Sequence, residues 1–142
     1  MKILFSSNWS KMNTGFGKNA REILTRLYKA GHEIIEYAAC NIKDGSPELN
    51  ALPWKIRGVY PSDLSKISHL TSNENSMIAV AHGHFMIDQV LKEEKPDLCI
   101  FVEDIWHVHG FFHKPWWNKI PCIAWTPIDS LPIMPVFTEA QD

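Results

Sequence analysis

The chain has 142 residues, of which 45% are hydrophobic and 21% charged, and it carries a formal net charge of −2 with a pI near 6.4. These proportions suit one globular domain over residues 1–142 with a sizeable core, and they exclude disordered and fibrous classes. With a slightly acidic balance and no basic run, no nucleic-acid partner is expected.

The first apolar run, Ile3-Leu4-Phe5, is too short for the apolar region of a signal peptide. No run approaches the roughly 20 residues needed to cross a bilayer, so no transmembrane segment and a cytoplasmic location are expected. Cys40, Cys99 and Cys122 are odd in number and lack C-x-x-C spacing, which favours reduced, buried thiols.

Ile3 to Phe5 predict a first buried strand, followed by a polar loop that ends in Gly15-Phe16-Gly17, where a helical pattern starts. A helix N-terminus offers backbone N–H groups with partial positive charge, and glycine lets a ligand approach them closely. The match to a dinucleotide fingerprint is loose, because Ala20 stands where the third glycine would be. The glycines can also serve only to turn the chain. The loop exceeds the two to six residues usual for such a turn, which favours binding.

Ala20, Ile23, Leu24, Leu27 and Tyr28 form one apolar stripe, Gly31 closes this helix, and residues 32–39 predict a second strand. After a polar loop over 41–50, residues 55–60 predict a third strand stopped by Pro61. Residues 62–76 are expected to be irregular or a short helix, and 77–81 fit either a strand or a helix start. From His84, the positions of Met86, Ile87, Val90 and Leu91 predict another helix ending before Pro96. Residues 97–102 predict a nearly all-apolar strand with Glu103-Asp104 at its carboxyl edge. A loop rich in Trp106, His107, His109, Phe111, Phe112, His113, Trp116 and Trp117 is expected next. Then comes a strand over 120–125 with Trp125 in the core, a segment leading to Asp129, and a capped helical turn over 138–142.

Alternating strands and helices imply a Rossmann-like, doubly wound α/β fold with a mostly parallel sheet and helices on both faces. Ligands in such folds gather at the carboxyl ends of the strands, near the switch in strand order. The loop from Ser7 to Gly17, the pair Glu103-Asp104, and Asp129 all fall at that edge.

Thr14-Gly15-Phe16-Gly17…Ala20…Leu24…Leu27…Gly31-His32-Glu33, Lys95-Pro96-Asp97-Leu98-Cys99-Ile100…Asp104-Ile105-Trp106 and Trp125-Thr126-Pro127-Ile128-Asp129-Ser130-Leu131-Pro132 together resemble retaining glycosyltransferases of the GT-B fold. That group includes glycogen and sucrose synthases and bacterial and phage members. The resemblance implies an N-terminal Rossmann-like domain that binds the acceptor, facing a C-terminal domain that holds the nucleotide-sugar and carries a glutamate pair. On that resemblance this chain is expected to correspond to the first half. The full protein is then expected to be a hexosyltransferase-type enzyme, and the half by itself to have little activity. Its partners are the nucleotide-sugar as co-substrate, the acceptor and the C-terminal domain, with no other cofactor.

On that reading the amides of Gly15, Phe16 and Gly17 serve the diphosphate, Ser7, Asn8 and Thr14 bind acceptor hydroxyls, and Lys18 adds charge. For Lys18 a solvated helix face is the competing account. Asp104 orients a sugar hydroxyl or accepts its proton, His107 contacts the reacting sugar, and Asp129 is a further substrate contact. Either aspartate can instead cap a loop or helix.

Two rivals stand beside this reading. One is a non-catalytic Rossmann or flavodoxin-like module for a nucleotide or phosphosugar. The other is a metal hydrolase, since His82, His84, His107, His109 and His113 with Asp104 or Asp88 can be drawn as a three-histidine, one-carboxylate site. Read as extended segments, they lack the helical spacing of zinc enzymes, so no metal is expected. Trp9, Trp106, Trp116 and Trp117 can stack on sugars or pack their loops, and packing or an interdomain contact is favoured for the last two.

Overall fold

The computed structural model describes residues 1–70, 73–128, 133 and 135. Among these residues five strands form one parallel sheet: β1 (Lys2–Asn8), β2 (Glu33–Lys43), β3 (Lys55–Tyr60), β4 (Leu98–Val102) and β5 (Cys122–Trp125). Their order is β3-β2-β1-β4-β5, so the direction of winding reverses between β1 and β4. Helices α1 (Gly15–Lys29), α2 (Glu74–Ala81), α3 (Ile87–Glu94) and α4 (Ile105–Phe112) complete the regular elements, with 3₁₀ turns at Pro47–Asn50 and Leu64–Leu70.

The period of two in the strands decides which helix each face takes. Ile3, Phe5, Ile34 and Ala38 pack with Ala20 and Leu24 of α1. Leu4, Ile35, Tyr37, Cys99 and Phe101 pack with Ile87, Val90 and Leu91 of α3 and with Val108 and Phe111 of α4. Helices therefore cover both faces of a sheet that is wholly parallel, in agreement with the doubly wound fold expected.

Helix α1 begins at Thr14, whose hydroxyl accepts the N–H of Gly17 at 3.0 Å, and it ends at Ala30 followed by Gly31 at φ +85°. Near the amino-terminal edge of the sheet, buried Glu94 accepts Arg57 at 2.6 Å and Lys55 at 2.7 Å, with Lys2 at 3.7 Å. Arg57 also meets Asp44 at 2.9 Å, tying β3 to the end of β2.

Three expectations need correction. The histidine- and tryptophan-rich segment from 105 is helical, because Ile105, Val108 and Phe111 recur every third residue and bury one face against the sheet. Trp125 is 58% exposed, since among the described residues β5 has a neighbouring strand on one side only. Strand β2 continues to Lys43, past the expected loop boundary, through a register shift between Ala38 and Lys43 where Cys40 takes φ +71°. Asp129 and the expected turn over 138–142 lie outside the described residues.

Candidate functional site

The carboxyl ends of β1, β2 and β4 meet where the strand order reverses. Ser7 Oγ donates to the carbonyl of Val102 at 2.8 Å, joining the ends of β1 and β4. One residue on, Asn8 accepts the thiol of Cys40 at 3.3 Å and donates to Thr14 Oγ1 at 3.1 Å. Thr14 Oγ1 also caps α1, so the neck of the β1–α1 loop is closed by a chain of side-chain hydrogen bonds.

A buried carboxylate braces the same loop from below. Glu36 of β2 is 1% exposed and accepts Ser10 N at 2.7 Å, Ser10 Oγ at 3.0 Å and Trp54 Nε1 at 2.7 Å. Burial raises its pKa, and those hydrogen bonds work in the opposite direction. Nothing in the alternation of β2 signals this, since Glu36 occupies a position facing α1 that reads as core.

The glycines divide by role. A Cβ on Gly17 would stand 2.5 Å from Met12 O and 3.0 Å from Trp9 O, so the loop folds its own carbonyls over this residue. Its amide is used by Thr14. Gly15 is exposed and has open space around it. The amides of Gly15 and Phe16 make no hydrogen bond among the described residues, as expected of the first N–H groups of a helix. The half-buried Phe16 packs on the α1-side core, while Lys18 is exposed. Ser7 and Thr14 thus have internal partners, Gly15 and Lys18 are exposed, and the Phe16 side chain is half-buried.

Beyond β4 the chain supplies the acids. Asp104 occupies the N-cap position of α4, yet its side chain makes no capping hydrogen bond. Glu103 beside it is 6% exposed, and burial pushes its carboxyl up to about 7, with Asp104 adding to the rise. The backbone N–H groups of Asn8 and Asp104 oppose the rise without cancelling it. Sequence reasoning placed Glu103 at this edge and gave it no role. The signal was a carboxylate directly following an all-apolar strand, whose alternation carries it to the α4 side.

His107 stands one turn into α4, and the turn between α2 and α3 grips it twice. The ring of His82 stacks on that of His107, centroids 3.4 Å apart and planes within 7°. His84 Nε2–H donates to the carbonyl of His107 at 2.6 Å, and the His84 ring stacks on Phe111. Gly83 between them takes φ +88° and accepts the hydroxyl of buried Tyr37 at 2.7 Å. Burial lowers the pKa of His107, His84 and His82, the last to about 4, so all three rings are neutral at pH 7.

The histidines therefore pair with each other and with aromatic rings. Helix α4 does set His109 and His113 four residues apart, a spacing the extended reading overlooked, and their rings meet edge-on at 5.1 Å. Among the described residues no group of three His, Cys, Asp or Glu side chains is arranged to hold a metal ion. Asp88 instead accepts Lys114 at 2.6 Å and Trp116 Nε1 at 2.7 Å. Trp116 and Trp117 pack against Phe101 in the core, Trp106 is 51% exposed, and Trp9 lies under Lys11 at 5.6 Å.

Fold and site together define a Rossmann-like α/β domain with a polar, partly preformed rim at its topological switch point. The sequence matches no family model and no curated protein. No helix among the described residues is long and apolar enough to cross a membrane.

Proposed function

We propose that this domain is the acceptor-side half of a retaining glycosyltransferase, passing a sugar from a nucleotide-sugar to an acceptor hydroxyl. One observation supports the reading: Asp104 and His107 follow β4 at the same carboxyl edge of the sheet as the loop after β1, which Glu36 braces and which ends in the free N–H groups of Gly15 and Phe16 at the start of α1. Glycosyl transfer needs a division of roles, with one group to hold and orient a hydroxyl and another to meet negative charge developing on a leaving diphosphate.

In this scheme the Asp104 carboxylate accepts a hydrogen bond from the acceptor hydroxyl, raising the electron density on its oxygen as the bond to the anomeric carbon forms. His107, being neutral, can donate from one ring nitrogen and accept at the other, which suits a sugar with adjacent hydroxyls. The amides of Gly15 and Phe16 face the diphosphate with the positive end of the α1 dipole. A dinucleotide module fits less well. Its middle glycine should leave backbone open to a pyrophosphate, whereas Gly17 is covered by the carbonyls of Trp9 and Met12.

Saturation-transfer NMR with a panel of mono- and oligosaccharide acceptors tests the assignment. A charge-assisted hydrogen bond of about 1.5–3 kcal/mol corresponds to roughly tenfold to a hundredfold in affinity, so Asp104→Asn is expected to weaken acceptor binding by at least about tenfold with unfolding unchanged. Free nucleoside diphosphate should bind weakly, and turnover of nucleotide-sugars by these 142 residues alone should be slight. Tight nucleotide binding indifferent to Asp104→Asn, or robust turnover, would overturn the proposal.

A further inference from the structure

Two polar atoms around His107 have no partner among the described residues: Nδ1 of His82 and Oε1 of Glu103, both shut off from solvent. They come from different elements, yet both side chains line one small cavity of about 10 Å³ together with Ser6, Phe101, His107 and Val108. A water molecule occupies roughly 10–15 Å³ by this measure and needs two to four polar partners. Size and chemistry both match a single water, and an apolar group would leave both atoms unpaired.

We propose that one ordered water sits in this cavity between Glu103 and His82, and that through it Glu103 is a positioning residue for His107. The acid form of Glu103 donates its O–H to the water, and the water donates to His82 Nδ1. His82 must then carry its proton on Nε2. One tautomer and one ring plane are thereby fixed, and that plane is the surface on which His107 lies, 3.4 Å away. His84 holds the backbone of the same residue at 2.6 Å, so the His82-Gly83-His84 turn secures His107 at ring and carbonyl together. The burial that keeps Glu103 protonated toward neutral pH supports the donor role given to it. The functional value of the arrangement rests on the reading of His107 as a substrate contact.

Long-range ¹H–¹⁵N NMR of the imidazoles at pH 6, combined with water cross-relaxation, tests this on the chain as it stands. The expected result is His82 wholly in the Nε2–H tautomer with a long-lived water near it. Glu103→Gln, whose amide can donate to the same water, should keep both signatures. Glu103→Leu should lose the water, mix the His82 tautomers and shift the His107 resonances. An Nδ1–H tautomer in the parent protein, absence of the bound water, or unchanged His107 resonances in Glu103→Leu would overturn the proposal. The parent measurements decide the matter even where Glu103→Leu fails to fold. Because these readouts need no sugar, a failure of acceptor binding leaves them standing, and their failure leaves the acceptor site standing.

Discussion

Replacing Glu103 by Gln should stabilise this protein at alkaline pH and leave it unchanged in acid. The folded carboxyl ionises at about 7 against an ordinary 4.5, with burial the main cause. Between those values the folded chain binds a proton that the unfolded chain has released, so stability falls as pH rises from 4.5 to 7 and stays low above. At about 1.4 kcal/mol for each tenfold step, the gap amounts to about 3 kcal/mol. Glutamine keeps the shape, cannot ionise and removes that slope. Urea unfolding followed by tryptophan fluorescence at pH 5 and pH 8 measures it, and a difference of about 3 kcal/mol corresponds to roughly 1.5 M in midpoint. Glu36 titrates in the same direction but is present in both proteins, so it cancels in the comparison. Parallel pH profiles for the two proteins would refute the claim that burial raises the Glu103 carboxyl.

Gly17→Ala forces a methyl group against the carbonyls of Met12 and Trp9 and should cost about 2 kcal/mol in chemical denaturation, whereas Gly15→Ala, in open space, should be neutral or slightly stabilising. Glu36→Ala strands the Ser10 and Trp54 N–H donors, and a loss of about 4 kcal/mol with faster hydrogen exchange over residues 9–17 is expected. Burial opposes ionisation of Glu94, yet hydrogen bonds from Lys55 and Arg57 outweigh it and hold its carboxyl below the ordinary value. The stability Glu94 contributes is therefore present above pH 4.5 and lost as pH falls through its lowered pKa, so Glu94→Gln should cost about 3 kcal/mol at pH 7 and little in strong acid.

The fold was legible because its signals are local and repeated. The α1 stripe from Ala20 to Tyr28 and the apolar run from Leu98 to Val102 each specify an element without help from the rest of the chain. Helix α4 was not legible, because a spacing of three among Ile105, Val108 and Phe111 is hidden among exposed or half-buried Trp106, His107, His109 and Phe112. The shared edge of the sheet was legible through strand-to-loop boundaries, which set Ser7 and Asn8 at the end of β1 and Asp104 directly after β4. Its supports were not. Glu36 reaches Ser10 across 26 residues and His82 reaches His107 across 25, and no periodicity encodes pairings made only by the sheet's closure. The motif His82-Gly83-His84 was visible as a motif, but its purpose depended on Gly83 turning under Tyr37 and on α4 being a helix.

The anchoring of the Trp9–Thr14 segment by Glu36 and Asn8 has a kinetic corollary. On the proposed reading, a ligand landing on this rim meets a loop already tied by hydrogen bonds, so less ordering entropy opposes its capture and binding is closer to encounter-limited. Discrimination then comes from refusal: a molecule of the wrong outline meets a surface that will not remould itself to accept it.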